Sequence, residues 1–386
     1  MTALPTLPVT MVGSWPRPRE LLRAQKLKRA GRIADDEFER QADQAVLDIL
    51  RLEEEAGVDV VTDGEQRRDG FFSFVADKLD GVQLMTLAQM LELVDNKAAF
   101  EQILQTLDVP AFSISNATCV GRIARRKPLA ADEVRFVQRH TTRPIKVPLP
   151  GPYLMTRAMW VKEASRAAYA SKEELGEDVV QVLRDEIREL VALGVDFIQL
   201  DEPVLTELVF TQGQVRTFMC AALAARKDPA EELELAVYLM NQVVAGFEAT
   251  RIGLHICRGN WSQDESTLLS GSYQPLKPYL ERMHVRQFVL EYATERAGDL
   301  LALSAPELGL GVVNPRTEQI ESVDAIQRAI ERLIASTLSI CSVLGFTTPS
   351  PSSGADSASR SPARSVAYSS TNCRTCMRSR YGLSGS

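Results

Sequence analysis

The feature that most constrains the fold is a unit of helix, glycine and strand that occurs twice. Residues 36–61 combine a helical pattern, Gly57 and an apolar run, and residues 171–200 repeat this arrangement with Gly194 at the same place. Both copies read Gly-Val-Asp before the apolar run, and both runs are followed by acidic residues. A chain that alternates amphipathic helices with apolar strands pairs its strands in parallel. The two copies therefore predict an α/β protein.

Further helices and strands follow from the same kind of pattern. Ser171 and Glu174 form a capping box, which predicts that the second helix begins there. Helical patterns also occupy residues 231–247 and 323–334, and prolines predict a stiff turn at residues 148–152. Additional short apolar runs that predict strands lie at residues 9–12, 144–147, 251–255, 285–290 and 309–313.

The number of alternating elements predicts a (β/α)8 TIM barrel. A doubly wound open sheet is the alternative. No Gly-x-Gly-x-x-Gly follows an early strand, which removes the usual reason to prefer that alternative.

Polar side chains follow many of the predicted strands. Active sites of such barrels are built at the C-terminal ends of the strands, so this placement predicts a site there. An acid at such a place can also cap the next helix, and for Asp63 and Glu202 that reading stays open. The strand-end residues are Ser14, Asp63, Glu65, Asp201, His255, Cys257 and Glu291.

His255 and Cys257 stand two residues apart at the end of a predicted strand. Alternate side chains of a strand point to the same face, so both could reach one ion. Imidazole together with thiolate is a ligand pair typical of zinc. The alternative is a buried thiol beside a hydrogen-bonded histidine.

Composition excludes several classes of protein. The formal net charge is −7 and the pI is near 5.3, which argues against nucleic-acid binding. No apolar run reaches the roughly 18 residues of a membrane span, and the N-terminus does not read as a secretion signal. Six scattered cysteines do not form a disulfide framework, which predicts reduced thiols and a cytoplasmic location.

Five segments, in this order, resemble the catalytic barrel of cobalamin-independent methionine synthases and its shorter single-barrel relatives. The resemblance spans about residues 8 to 335. The segments are Val12-Gly13-Ser14-Trp15-Pro16, Asp63-Gly64-Glu65-Gln66-Arg67-Arg68, Leu200-Asp201-Glu202-Pro203, Leu254-His255-Ile256-Cys257 and Val289-Leu290-Glu291.

The resemblance implies a zinc-dependent S-methyltransferase that moves a methyl or other alkyl group to a small thiol such as homocysteine. It implies zinc ligation by His255, Cys257 and Glu291 with one further cysteine. It also implies that the amino-acid part of the substrate is held by Gly13, Ser14, Glu65 and Asp201. The thiol and a methyl donor of unknown identity are then the small-molecule partners. The family's N-terminal barrel, which helps to bind the polyglutamylated folate, has no counterpart in this chain.

The C-terminal region departs from the family pattern, which implies a TIM barrel with an incomplete or altered C-terminal βα unit. In the family the last strand leads to an Asn-Pro-Asp-Cys-Gly-like turn that carries the fourth zinc ligand, whereas here the pattern ends after Leu338. Cys341 is the remaining candidate for that ligand, and its alternative is a buried thiol. We therefore predict one catalytic domain over residues 1–346 and a disordered tail, rich in Ser and Arg, over residues 347–386.

The sequence leaves three functions open. The first is the zinc-dependent thiol methyltransferase. The second is a metal-free barrel lyase similar to the uroporphyrinogen decarboxylases, against which the His-x-Cys motif and Glu291 speak. The third is a catalytically impaired family member with a damaged C-terminus.

Overall fold

The computed structural model describes residues 4–5, 7–86, 89–90, 92, 115–210, 228–258, 269–294, 297–298, 300–304, 307–314, 321–331, 333 and 364–368. Its α-helices are α1 (Arg19–Arg29), α2 (Asp35–Glu55), α3 (Ala131–Val137), α4 (Pro152–Met159), α5 (Lys162–Ser165), α6 (Lys172–Ala192), α7 (Val204–Phe210), α8 (Pro229–Val244) and α9 (Lys277–Leu280). Residues 323–331 are also helical.

The strands form two sheets. β1 (Leu79–Thr86) and β2 (Ser115–Arg125) make an antiparallel hairpin. The second sheet is parallel and follows chain order, with β3 (Lys146–Pro150), β4 (Phe197–Asp201), β5 (Ile252–Ile256), β6 (Gln287–Glu291), β7 (Glu307–Gly311) and β8 (Arg364–Tyr368).

Two further segments continue this parallel order before β3. Thr10 forms an isolated parallel bridge with Val60, and Val61 forms one with Ile145. Parallel neighbours thus run in chain order from Thr10 to β8, which is the strand order of a (β/α)8 barrel. The described residues form no pairing between β8 and the segment at Thr10. The parallel α/β fold is therefore confirmed, and closure of the barrel stays a prediction.

Both copies of the repeated unit fold as the sequence predicts. The helix of the first copy is α2, and that of the second is α6, whose N-cap Ser171 accepts a hydrogen bond from the backbone N–H of Glu174. Gly57 and Gly194 follow the two helices, each with a φ of +76°. Glycine is favoured at this position because a left-handed residue commonly ends a helix.

The predicted turn at residues 148–152 is wrong, because β3 continues through Pro150. Lys146 donates its backbone N–H to Val61 O, so Pro148 and Pro150 face the same neighbour but have no N–H to donate. Toward β4, by contrast, pairing runs over the whole of β3. The prolines therefore limit pairing on one side of β3 and leave the strand intact.

The two faces of the parallel sheet differ in chemistry. Ile198, Leu200 and Leu254 point to the helices and belong to the main hydrophobic core. The opposite face carries only a small apolar cluster, Phe197 with Val289, amid polar side chains of β3 to β6. The functional residues predicted on these strands lie on this polar face, because they alternate with the core residues.

β8 lies within the stretch predicted to be a disordered tail. Its five residues pair in parallel with β7, from Glu307 with Arg364 to Gly311 with Tyr368. Pairing with β7 gives the backbone of these five residues hydrogen-bond partners on one side, despite the polar composition of the segment. The remainder of residues 347–386 lies outside the described part, where the tail stays a prediction.

None of the helices in the described residues combines the length and the apolar character that a membrane span requires.

Candidate active site

The centre of the site is a contact between the ends of β4 and β5. Asp201 and His255 are direct partners in the parallel ladder, so their side chains leave the same face of the sheet. Asp201 Oδ1 lies 2.9 Å from His255 Nδ1. Both side chains are mostly buried but remain partly accessible, at 17% and 13% exposure. A histidine bound in this way through Nδ1 leaves Nε2 for another partner.

A buried glutamine and lysine lie beneath this pair. Gln199 Nε2 donates to Asp201 Oδ1 at 2.8 Å and to the backbone oxygen of Val12 at 2.9 Å. Lys146 Nζ lies 3.2 Å from Gln199 Oε1 and also donates to Met11 O. Burial lowers the pKa of Lys146 to about 7, although the charges of Asp201, Glu53 and Glu65 oppose the shift.

Glu65 occupies a strained turn at the end of the first repeated unit. Its φ is +53°, an unusual value for a residue other than glycine, and its N–H donates to Asp63 Oδ1 at 2.9 Å. The Asx-type turn at Asp63 thus holds the backbone of Glu65. Strained backbone conformations cost stability and cluster at functional sites, so the strain at Glu65 marks it as a candidate functional residue.

The Glu65 carboxyl is buried and incompletely paired. Oε1 lies 4.0 Å from Arg68, while Oε2 has no hydrogen-bond partner among the described residues. Burial raises the pKa of Glu65 to about 8, with the negative charges of Asp201 and Asp63 adding to the shift and Arg68 opposing it. A buried oxygen without a partner costs free energy, so a ligand that donates to it would be favoured.

Gly13 packs tightly between Pro148 and Glu65. A Cβ at Gly13 would lie 2.7 Å from Pro148 Cγ and 3.1 Å from Glu65 Oε1, so only glycine lets the turn approach this closely. Gly13 is buried and the next residue, Ser14, is exposed. The structure thus brings the Gly13 backbone close to the Glu65 carboxyl.

Glu202 is a structural acid rather than part of this cluster. Its two carboxyl oxygens accept from the backbone N–H groups of Tyr153 at 2.7 Å and Leu154 at 2.9 Å, in the first turn of α4. Glu202 therefore acts as a helix cap, although the open alternative in the sequence was a cap of the next helix. It caps α4 of the neighbouring unit rather than the helix that follows it in sequence. Burial raises its pKa to about 8, and the two N–H groups oppose that shift.

Cys257 and Glu291 lie beside His255. Ile256 pairs with Leu290, and one step further along the same register Cys257 stands level with Glu291. Glu291 Oε2 accepts from the backbone N–H of Arg258 at 3.0 Å, which draws the carboxylate toward the end of β5. The thiol of Cys257 is half-buried and forms no disulfide with the described residues.

The donor set suits zinc in its chemistry but is not assembled around one point. Imidazole, thiolate and carboxylate from neighbouring strand ends are ligands that zinc takes. Within the described residues, however, no three His, Cys, Asp or Glu side chains stand close enough to hold one ion. Cys341, the predicted fourth ligand, lies outside the described residues. The metal role of these four residues therefore remains a prediction.

Sequence reasoning missed Lys146 and Gln199. Both are polar residues inside a strand, at 1% and 0% exposure, and the pattern around them reads only as apolar and buried. Gln199 stands two residues before Asp201 and therefore lies on the same face of β4, which becomes informative only once the strands have been paired. Buried polar groups need hydrogen-bond partners, so both residues are candidates for a buried hydrogen-bond network.

Comparisons with known proteins identify the family. Residues 7–343 match the family described as "Cobalamin-independent synthase, Catalytic domain". The methionine synthase of Pyrococcus abyssi is 32% identical over 333 residues, which cover 85% of this chain and 82% of that protein. The methionine synthase of Thermococcus kodakarensis is 31% identical over 335 residues, covering 86% and 83% respectively.

Solved structures agree on the fold. A B12-independent methionine synthase from Shewanella sp. W3-18-1, in complex with selenomethionine, has a TM-score of 0.62 at 19% identity and covers 96% of this chain and 91% of its own. A putative vitamin-B12 independent methionine synthase from Listeria monocytogenes has a TM-score of 0.60 at 17% identity, with 100% of each chain covered. The sequence match over residues 7–343 decides the assignment, and this chain belongs to the cobalamin-independent methionine synthase family.

Proposed function

We propose that this chain transfers a methyl group to the sulfur of homocysteine, at a zinc site at the C-terminal end of a closed (β/α)8 barrel. The observation that carries the proposal is the contact between Asp201 and His255 at the ends of β4 and β5. This contact occupies Nδ1 of His255 and leaves the second ring nitrogen, Nε2, available at the strand ends that carry Cys257 and Glu291. A cytoplasmic location and reduced thiols belong to the same proposal.

Zinc would be held by His255, Cys257 and Glu291 with a fourth ligand, for which Cys341 is the candidate. When bound, zinc supplies a lowered pKa for the substrate thiol, so that the sulfur is present as a thiolate at neutral pH. In the transfer a sulfur–carbon bond forms, the bond between the methyl group and its donor breaks, and the thiol proton is lost beforehand.

Glu65 and Asp201 would bind the ammonium group of the amino-acid substrate. An ammonium offers three donors, and Glu65 Oε2 is a buried acceptor without a partner in the described part of the chain. A cation beside Glu65 would favour the ionised carboxylate and return its pKa toward the ordinary range. The tight approach of Gly13 to Glu65 would bring the Gly13–Ser14 backbone to the same substrate.

A donor-independent experiment tests the proposal. We would replace zinc with cobalt(II) and record visible spectra during titration with homocysteine, using homoserine as the control that lacks only the thiol. We expect a sulfur-to-cobalt charge-transfer band with homocysteine and no such band with homoserine. Absence of the band at saturating homocysteine would contradict direct ligation of the thiol. Methionine formation would then be measured with methyltetrahydrofolate in its mono- and polyglutamate forms.

The metal ligands have their own test. Cys257→Ser should lose most of the bound zinc while the barrel stays folded, because a catalytic zinc site adds less to stability than a structural one. Metal content and the urea midpoint of purified protein measure the two effects. Cys119, a buried thiol on β2, provides the matched control, since Cys119→Ser should keep its zinc. Full zinc occupancy in Cys257→Ser would disprove the assignment.

A further inference from the structure

We propose that Gln199 is a positioning residue that holds Asp201 as a hydrogen-bond acceptor toward His255, so that the His255 ring presents Nε2 to the metal. The inference rests on the proposed function for the identity of the metal. The contacts themselves belong to this chain and can be tested without it.

The orientation of the Gln199 side-chain amide is determined by its neighbours. The backbone oxygen of Val12 can only accept a hydrogen bond, so the group 2.9 Å away from it must be the amide NH2. The amide oxygen then faces Lys146 Nζ at 3.2 Å, where it accepts from the lysine. Two independent partners therefore require the same orientation, although the amide nitrogen and oxygen have nearly the same shape.

The orientation of Gln199 determines what Asp201 can do. The amide NH2 donates to Asp201 Oδ1 at 2.8 Å, so this carboxyl oxygen acts as an acceptor. The same oxygen lies 2.9 Å from His255 Nδ1, and as an acceptor there it requires the ring to donate. The proton of the neutral ring is then on Nδ1, and the lone pair is on Nε2.

This arrangement has the chemistry of a carboxylate that orients a metal-binding histidine. Such partners fix the tautomer and direction of the ring, and their loss typically weakens metal binding about 10–100-fold. Gln199 does not itself reach the metal ligands, because Asp201 lies between it and His255. Lys146 donates both to the Gln199 amide oxygen and to the backbone oxygen of Met11, and so helps to hold the glutamine side chain in place.

The chain offers a matched control two strands away. Gln287, on β6, is also fully buried on the polar face of the sheet. Its amide nitrogen and oxygen have no hydrogen-bond partner among the described residues, so it takes no part in the Asp201 contact. Gln199→Met and Gln287→Met therefore remove the same group from similar surroundings, and only the first removes a donor to Asp201.

The tautomer of His255 can be read directly in metal-free protein. The chain has three histidines, so a long-range proton–nitrogen NMR spectrum of histidine-labelled protein is simple to assign, with His255→Gln identifying the signal. The spectrum is recorded at about pH 8.5, which is above the ordinary histidine pKa of about 6.5. We expect the Nδ1–H form for His255 in the wild type and in Gln287→Met. In Gln199→Met we expect the Nε2–H form to become populated.

Zinc affinity gives the second measurement, by competition with a chromophoric chelator. We expect the dissociation constant to rise about 10-fold or more in Gln199→Met and to be unchanged in Gln287→Met. If Gln199→Met fails to fold, Gln199→Glu takes its place, because it keeps the volume and replaces the donor with an acceptor. The expected changes are the same.

The outcomes separate the inference from the proposed function. A wild-type His255 in the Nε2–H form overturns the inference, as does a Gln199 variant with unchanged tautomer and unchanged zinc affinity. A wild type that binds no zinc contradicts the proposed function, while the tautomer spectra still decide the role of Gln199. An equal loss of zinc in Gln287→Met would also overturn the inference, because the effect would then follow from burial alone.

Discussion

The two copies of the helix–strand unit are alike at one end and different at the other. After each helix comes a glycine with a φ of +76°, and then Val-Asp. Asp59 accepts from the backbone N–H of Val9 at 2.8 Å, and Asp196 accepts from that of Ile145 at 3.4 Å. In both copies, therefore, the aspartate binds the start of the preceding strand. This shared end of the unit serves folding.

The strand-end acids of the two copies have different surroundings. In the first copy Asp63 binds the backbone of Glu65, which is strained, buried and short of partners. In the second copy Asp201 contacts His255, and Glu202 caps α4. Similar sequence patterns thus place one acid in a helix cap and others in the candidate site. The comparison teaches that the acid itself does not reveal its role, whereas its hydrogen-bond partners do.

The largest effect should come from removing the capping acid. Glu202→Ala leaves the N–H groups of Tyr153 and Leu154 without acceptors, and each buried donor so left costs about 1–3 kcal/mol. We expect the free energy of unfolding to fall by about 2–4 kcal/mol in urea titrations. Zinc content of the folded protein should not change.

Glu202→Gln sharpens this result. Its side-chain oxygen can still accept one of the two N–H groups, so we expect a smaller loss than in Glu202→Ala. If Glu202→Ala is as stable as the wild type but binds homocysteine more weakly, Glu202 acts in substrate binding rather than as a helix cap.

The acid of the first copy should behave in the opposite way. In the folded protein Glu65 keeps its proton up to about pH 8, whereas an unfolded chain loses it near the ordinary value of 4.5. The folded state therefore binds more protons between these values, and stability falls as pH rises through them, by at most about 1.4 kcal/mol per pH unit. Glu65→Gln removes this penalty.

We expect Glu65→Gln and the wild type to have similar stability near pH 4.5. The variant should then become the more stable by on the order of 1–3 kcal/mol at pH 8. Homocysteine binding should weaken in the same variant, because the amide cannot pair with an ammonium as a carboxylate does. Urea unfolding at several pH values and thiol titrations measure the two effects. A variant that is less stable at pH 8 and binds the thiol normally would assign Glu65 a structural role.

The fold could be predicted further than the site. Helix caps, Gly-Val-Asp and short apolar runs are local signals, and they correctly placed α2, α6 and most of the parallel strands. Pro148 and Pro150 misled the prediction because proline usually interrupts a sheet. Here both prolines face a neighbour with which β3 shares only a bridge. The β1–β2 hairpin was missed.

The site depends on contacts between residues far apart in the chain. Position at a strand end predicted that Asp201 and His255 lie on the same edge of the sheet, and their direct contact is visible only in the structure. Which acid caps and which meets the histidine could not be predicted, because Asp201 and Glu202 are adjacent and differ only in the face to which they point. Gln199 and Lys146 had no signal in the pattern, since burial of a polar side chain is visible only after the strands pair.

The smallest effects should come from the shared aspartates, and they test whether the two copies are equivalent at that end. Asp59→Ala and Asp196→Ala each remove one acceptor for a strand N–H, so each should lower the free energy of unfolding by about 0.5–1.5 kcal/mol. The loss should be somewhat greater for Asp59, whose hydrogen bond is 2.8 Å long compared with 3.4 Å for Asp196. Asp59→Asn and Asp196→Asn keep an acceptor oxygen and should recover part of the loss. Zinc content and homocysteine affinity should stay at the wild-type value in all four variants, since these side chains lie at the opposite ends of the strands from Glu65 and Asp201. A marked loss of zinc or thiol binding in either alanine variant would show that the two ends of the unit are coupled.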